Sequence, residues 1–399
     1  MREYALPSVR RLNVQYAILQ VGYWAMVAAF GGYQTALLLE RGFSSGLVGF
    51  FTSLRCLSGI ISLPLLSGWA DRHPQIPLKW ILDVTLLIAF GANLFFYRTS
   101  PGFFGTALVF VILGALELSS YPLVDSMAVQ FINAGLPIQY SLGRGLGSFS
   151  YAVVCIVLGR YADRFGIESV LLVHGALILL LILLIAAYPT FPYRTGQTRT
   201  AEKPHSSWYL LRSNRSFTLM LAAAFFGMMA VLPIVNFLVN IVADRGGTTA
   251  DLGIALFLMA ASELPAAFLY QALWRKLGST RLLVWSIGFL ALKPLLILLA
   301  PSLFWVLAVQ PVQMLGYGLF TPSSVYFTNG KVPVADRIRG QSLMMVASNG
   351  LGGVVGNLLG GFLIDAGGVN ALLLTCVAFG AVGVATALAA GRLDRKTAL

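Results

Sequence analysis

The stretch Gly159-Arg160-Tyr161-Ala162-Asp163-Arg164-Phe165-Gly166 closes one apolar run, 138 to 161, and leads into another, 168 to 190. Each run has about the twenty residues that a helix needs to cross a bilayer. Related turns recur at Ser67-Gly68-Trp69-Ala70-Asp71-Arg72, Arg275-Lys276-Leu277-Gly278 and Gly361-Phe362-Leu363-Ile364-Asp365-Ala366-Gly367-Gly368. Reading outward from them gives further apolar runs at 12 to 38, 45 to 69, 78 to 97, 102 to 130, 215 to 242, 249 to 274, 281 to 299, 302 to 328, 339 to 364 and 369 to 391. Twelve spans result, and the turn follows spans two, five, eight and eleven. All are expected to be helical, because hydrocarbon satisfies no backbone N–H or C=O and the runs lack the alternation of a barrel strand. The first run carries no small-residue cleavage site and is expected to be retained.

The composition agrees with this reading. Of 399 residues, 58% are hydrophobic and 11% are charged, against about a quarter charged in a soluble domain. Mean hydropathy is +0.81. A net charge of +12 would suit nucleic acid, but bilayer-length apolar runs interrupt the basic residues, so the excess is read as topology. Retained Lys and Arg mark the cytoplasmic side of a membrane. One set of alternate loops holds Arg2, Arg10, Arg11, Arg72, Lys79, Arg194, Arg199, Lys203, Arg212, Arg215, Arg275, Lys276, Arg281, Lys331, Arg337, Arg339, Arg392, Arg395 and Lys396. The other set holds Arg41, Arg98, Arg160, Arg164 and Arg245. Both termini are therefore expected in the cytoplasm, with the chain a multi-pass protein of the plasma (inner) membrane.

The longest polar stretch, Pro192 to Asn214, falls between spans six and seven. It suggests an N-terminal six-helix bundle at 1–190, a cytoplasmic linker at 191–214 and a C-terminal six-helix bundle at 215–399. The turn repeating every third helix makes each half an inverted 3+3 repeat, a plan used by secondary transporters with midplane binding sites. The turn Gly159-x-x-x-Asp163-Arg164-x-Gly166 and its copy ending in Asp71-Arg72 resemble the signature loop of the major facilitator superfamily. The resemblance covers the whole chain and implies a gating role for Asp71, Arg72, Gly159, Asp163 and Arg164. The first copy departs from the pattern at Ser67, Pro74 and Pro77.

Within that superfamily the chain resembles the lactose-permease-like and phenylpropionate-permease-like proton symporters. The segments that carry the likeness are Ser53-Leu54-Arg55 with Leu63-Pro64, Pro122-Leu123-Val124-Asp125, Gly143-Arg144-Gly145-Leu146-Gly147-Ser148, Ser262-Glu263-Leu264-Pro265, and Arg339-Gly340-Gln341 with Gly350-Leu351-Gly352-Gly353. Gln313 stands where that branch often shows a His. The resemblance implies that Asp125 on the fourth helix and Arg144 on the fifth bind substrate.

An ionisable side chain inside a membrane is costly and is by default a functional candidate. Seven remain once the residues at the loops and run ends are set aside: Arg55, Asp83, Glu117, Asp125, Arg144, Glu263 and Lys293. Asp125 and Arg144 flank the turn near Ala134-Gly135 at similar distances, so they are expected at matching depth, as a substrate site or as a salt bridge fixing the hairpin. Glu117 precedes Asp125 by eight residues, about 80° around a helix. It is expected to reach the same cavity as a proton carrier, or to stay neutral among Ser119, Ser120 and Tyr121. Glu263 and Lys293 are level about Gly278 and form a second proton-coupling candidate or a structural pair. Arg55 has no level acid in its own hairpin, which leaves it for substrate or for capping across helices. Asp83, near the cytoplasmic end of span three, suits a loop network with Arg72 or Lys79.

Uncharged polar residues form helical-face rows: Tyr16, Gln20, Tyr23 and Gln34 with Trp24 beside them on span one, Asn236 and Asn240 on span seven, and Gln310, Gln313, Tyr317 and Thr321 on span ten. They read as a solvated pathway or as hydrogen bonds joining helices. Glycines 143, 145 and 147, and 350, 352, 353, 356, 360 and 361, read as close helix packing, since no strand precedes them as a nucleotide loop requires. Cys56, Cys155 and Cys376 and the three His are dispersed, with His73 and His205 in loops and His174 in outer span six. No metal cluster, cofactor or ATP-binding motif is expected, and the chain does not read as an enzyme. The sequence points to alternating-access transport of a small polar solute (a sugar, nucleoside or organic carboxylate) as a proton symporter, with drug/proton antiport (efflux) or a non-transporting membrane receptor or scaffold as the alternatives. The expected partners are solute, protons and lipid, with no nucleic acid, and the chain is expected to act as a monomer.

Overall fold

The computed structural model describes residues 8–73, 75–191, 206–333 and 336–397. No strand occurs among them. Sixteen α-helical segments follow in order: α1 Val9–Gly31, α2 Gln34–Glu40, α3 Ser45–Arg72, α4 Leu78–Thr99, α5 Phe103–Leu113, α6 Ser119–Asn133, α7 Tyr140–Phe165, α8 Ser169–Ala187, α9 Ser207–Ser213, α10 Arg215–Asn236, α11 Leu238–Asp244, α12 Thr249–Leu298, α13 Leu303–Val309, α14 Tyr317–Lys331, α15 Arg337–Met345 and α16 Gly353–Thr397. Ten helical stretches among the described residues are long and apolar enough to cross a membrane. Their outward faces carry large apolar side chains such as Leu65, Leu183, Phe104 and Phe268, as lipid-facing helices require. The chain is an integral membrane protein.

The repeated turn has a backbone cause. Gly166, Gly278 and Gly368 occupy the same place in three of its copies, and all have positive φ, of 84°, 75° and 70°. Only glycine enters that region without a steric penalty. At Gly278 the chain bends within α12, and at Gly367 and Gly368 within α16. The first copy has Pro74 there, outside the described residues. The predicted turn near Ala134-Gly135 is also present, with Gly135 at φ 89°.

There are three other departures from regular α-helix among the described residues, and two of them coincide with polar candidates. A π-helical turn at Gly114–Leu118 joins α5 to α6 and carries Glu117. A 3-10 stretch at Gln310–Met314 joins α13 to α14 and carries Gln310 and Gln313. A second π turn, Val346–Gly352, joins α15 to α16. Such interruptions redirect side chains that a regular helix would place elsewhere, and they are common at functional sites.

The chain divides into two compact units, Met1–Arg41 with Leu54–Thr198, and Gly42–Ser53 with Arg199–Leu399. In the first, α1 is buried along Leu12, Tyr16, Leu19, Tyr23, Met26 and Phe30, and α7 packs closely on it through two glycines. A Cβ on Gly143 would stand 2.6 Å from the Tyr16 ring, and one on Gly147 would stand 2.5 Å from Trp24. Gly145 faces open space, so the expected packing role holds for its two neighbours and not for it. In the second unit, Gly352, Gly356 and Gly360 lie against Met228 and Pro233 of α10.

The second unit also takes in residues 42–53, a division the polar linker does not signal. Asp365 explains it: its two carboxylate oxygens accept from Ser45 N at 2.9 Å and Gly46 N at 2.7 Å, satisfying free N–H groups at the start of α3. Gly361 brings its backbone against Ser45. Residues 192–205 of the expected linker, with Arg194, Arg199 and Lys203, lie outside the described residues, as does Arg2. The linker's end forms the short α9, where Ser206 accepts from Tyr209 N at 3.2 Å.

Candidate functional site

In the first unit, side chains from α1, α6 and α7 converge around Asp125. Gln20 Nε2 donates to its Oδ1 at 2.7 Å, Tyr16 hydroxyl donates to the same oxygen at 3.3 Å, and Tyr140 hydroxyl donates to Oδ2 at 2.8 Å. The Tyr16 and Tyr140 rings stack with centroids 5.7 Å apart. Arg144 does not close an ion pair with Asp125. Its guanidinium lies 4.4 Å over the Trp24 ring and 5.0 Å over Tyr121. The Tyr121 hydroxyl adjoins both Asp125 and Arg144. The expected hairpin salt bridge is thereby replaced: neutral donors hold the carboxylate, and aromatic faces hold the cation. Arg144 Nη1 is buried without a hydrogen-bond partner among the described residues. The result is a cluster of four aromatic rings with an anion and a cation held apart on it.

A second cluster occupies the same unit. Glu117, 1% exposed, receives Arg55 Nη2 on Oε2 at 3.0 Å and faces His174 Nε2 across 3.1 Å on Oε1. The other imidazole nitrogen, Nδ1, lies 2.9 Å from Asn93 Oδ1, and Asn93 Nδ2 donates to Leu171 carbonyl at 2.9 Å. Arg55 Nη1 donates to Gln34 Oε1 at 3.2 Å, and its guanidinium lies 5.0 Å over Phe30. Glu117 is thus turned away from Asp125, contrary to the shared cavity expected from helical spacing. The π turn at 114–118 accounts for the difference, because it adds a residue to the turn and shifts the register of everything before it. Gly114 makes the approach possible by bringing that turn against the Arg55 carbonyl. Arg55, without an acid in its own hairpin, finds one across the bundle and is not a free substrate cation.

In the second unit, Gln313 bridges the level pair on α12. Its Oε1 accepts from Lys293 Nζ at 2.9 Å, and its Nε2 donates to Glu263 Oε1 at 3.2 Å. Lys293 is 1% exposed. Amide donor and acceptor therefore separate two charges that were expected to meet directly. Gln310 is buried, donates to Val306 carbonyl at 2.9 Å and keeps its own oxygen unpartnered. Tyr317 hydroxyl donates to Asn349 Oδ1 at 3.3 Å. Asn236 Nδ2 donates to Thr52 Oγ1 at 3.1 Å and Asn240 Nδ2 to Ser45 Oγ at 3.4 Å, so both amides of the span-seven row engage the start of α3.

The sequence profile of the MFS_1 like family matches residues 14–374. This chain belongs to that family. Among curated proteins it is similar to the maltose permease of Geobacillus stearothermophilus, at 24% identity over 373 residues, covering 94% of this chain and 93% of the permease. It also resembles the uncharacterized transporter YwbF of Bacillus subtilis (strain 168), at 22% identity, with 88% and 85% covered. Among solved structures, a mutant of nucleoside transporter NupG superposes with a TM-score of 0.80 at 17% identity, covering 95% of this chain and 98% of that one. A bacterial homolog to human lysosomal transporter Spinster, inward-facing and unoccupied, gives 0.68 at 14% identity, covering 97% and 98%. At such identities these structures share the fold of this MFS_1-like chain.

The signature-turn residues of this family member separate. Gly159 is buried, whereas Asp163 and Arg164 are exposed, with Arg164 5.4 Å over its neighbour Phe165. Arg72 is exposed, and the side chain of Asp71 lies outside those described. The equivalent carboxylate of the fourth copy, Asp365, is the one that caps a helix. Four residues that matter were not singled out as site members from sequence: Tyr121, Tyr140, Asn93 and His174. The two tyrosines carry a readable signal, since each stands four residues before a candidate charge, in Tyr121-x-x-x-Asp125 and Tyr140-x-x-x-Arg144, on the same helix face.

Proposed function

We propose that this protein is a proton-coupled symporter of a small hydroxylated ring solute, a sugar or a nucleoside. The observation that carries the reading is Arg144: a half-buried cation seated on Trp24 and Tyr121, its Nη1 buried and unpartnered among the described residues, beside a carboxylate already dressed with donors. Solute hydroxyls donate to Asp125, a solute oxygen accepts from Arg144, and the rings of Tyr16, Trp24, Tyr121 and Tyr140 cover the apolar faces. The similarity to a maltose permease and to a nucleoside transporter supports the same solute class. Within the second unit, Glu263, Gln313 and Lys293 form a proton-coupling candidate, and Gln310 and Tyr317 are solute-binding candidates.

The proposed topology has twelve spans in two 3+3 halves. It counts α1 with α2 as the first, divides α12 at Gly278 and α16 at Gly367-Gly368, and places both termini in the cytoplasm by the distribution of Lys and Arg. The solute crosses the inner membrane by alternating access, with the chain acting as a monomer.

A thermal-shift panel of sugars, nucleosides and organic carboxylates on the purified protein tests the solute class. A ligand that binds only the folded state at about 100 times its Kd stabilises it by about 2.7 kcal/mol. A sugar or nucleoside is expected to raise Tm, and Arg144→Ala to abolish the rise. Stabilisation by carboxylates alone would move the assignment to that class, and stabilisation by lipophilic cations alone would favour drug efflux.

A further inference from the structure

The cluster around Glu117 lies outside the proposed solute site, and the solute-binding account makes no use of it. His174 is 0% exposed and Asn93 3%, so no bulk water reaches the imidazole. The Asn93 amide orientation is fixed by its Nδ2 donating to Leu171 carbonyl, which turns Oδ1 toward His174 Nδ1 at 2.9 Å. An acceptor at Nδ1 requires the proton there, so any second proton must sit on Nε2. Gly175 leaves the room for this contact, since a Cβ on it would stand 2.9 Å from Asn93 Nδ2.

Nε2 and Glu117 Oε1 face each other at 3.1 Å, and neither has a hydrogen-bond partner elsewhere among the described residues. With a proton between them the contact is a charged pair. Without it, a nitrogen lone pair confronts a carboxylate oxygen in a dry interior, where such a confrontation is costly. We propose that the Glu117–His174 pair is a proton-binding site, distinct from the Asp125–Arg144 solute cluster, whose exchangeable proton sits on His174 Nε2.

Arg55 makes release possible. Its Nη2 already binds Oε2 at 3.0 Å, and its Nε is buried and unpartnered among the described residues, a donor available to Oε1 once the proton has gone. Release requires water to enter the cluster: the proton then leaves Nε2 for that water, the ring keeps the lone pair and its Nδ1–H, and the net charge of Arg55, Glu117 and His174 falls from one positive to zero. The ring is faced by Glu117 from the π turn, Asn93 from α4 and the Phe30 ring, 5.1 Å away, from α1. Arg55 from α3 and the Tyr23 hydroxyl from α1 face the other side of Glu117. Tyr23 also links the two clusters. Its hydroxyl donates to the Glu117 carbonyl at 3.1 Å, while its ring packs 5.8 Å from Tyr121 and 5.6 Å from Trp24.

The role of this proton in transport rests on the symport reading above, and the existence of the site does not. The chain has three His, so His73→Gln with His205→Gln leaves His174 alone for ring-nitrogen NMR of the full-length protein labelled with 15N-histidine. Across the pH range in which the protein stays folded, His174 is expected to show a doubly protonated ring and a neutral one protonated at Nδ1 alone, as the two states of the site. Glu117→Gln is expected to lower the doubly protonated fraction throughout. A single neutral form across that range would overturn the site.

In vesicles, His174→Gln is expected to retain solute exchange and lose solute-driven proton uptake. Proton uptake persisting in His174→Gln would overturn the coupling role while leaving symport intact. A wild-type protein that moves solute without protons would overturn symport itself, and the NMR titration would still decide the proton site.

Discussion

Arg55→Gln is expected to lower the stability of the purified protein by about 3–5 kcal/mol, the usual result of leaving one member of a buried ion pair without its partner. The substitution strands Glu117 in a position 1% exposed with no strong donor on Oε2, and it removes the cation from the Phe30 face. Gln34 loses its donor in the same step. The effect should depend on the charge left behind. Arg55→Gln with Glu117→Gln, which removes both charges, should recover most of the lost stability. Thermal unfolding in detergent checks both variants, and equal losses in the single and the double variant would show that the pair is not what holds these helices together.

Asp125→Asn is expected to weaken solute binding by about 10- to 100-fold, the equivalent of losing one hydrogen bond to a charged acceptor at about 1.5–3 kcal/mol. The amide is close in size, so the fold should survive. Its Nδ2, however, would face either Gln20 and Tyr16 or Tyr140, each of which now donates to a carboxylate oxygen. Donor would meet donor, and the cluster would reorganise away from the solute-binding arrangement. Titration of the stabilising solute against the purified variant measures this. An unchanged affinity would remove Asp125 from the solute site.

Much of the scaffold is legible in the sequence because it rests on local chemistry. Apolar runs long enough to cross a bilayer become helices, and three glycines of the repeated turn become residues with positive φ. The rows Tyr16-Gln20-Trp24, Tyr121-Asp125 and Tyr140-Arg144 also follow from local spacing, and they assemble the aromatic cluster once α1, α6 and α7 are adjacent. What the sequence does not disclose is non-local. The π turn at Gly114–Leu118 redirects Glu117, and nothing in its own residues requires that turn. The partners of Glu117 lie on α3 and α8, where spacing along the chain gives no hint of their depth or direction. The Asp125–Arg144 salt bridge expected from depth alone was overridden by the rings and hydroxyls around it, a competition that turns on distances of an ångström. The same holds for Gln313, which enters between Glu263 and Lys293 from a 3-10 stretch that its sequence does not announce.

In the proposed account the clusters of the first unit divide the labour of symport, one taking a hydroxylated ring and the other a proton, with Tyr23 touching both. Solute-driven proton movement in vesicles containing the purified protein tests this most directly. Adding a stabilising sugar or nucleoside outside, with no imposed pH gradient, should carry protons inward with the solute and make the lumen more acidic. A lumen whose pH does not change, or one that becomes more alkaline as solute enters, would contradict symport.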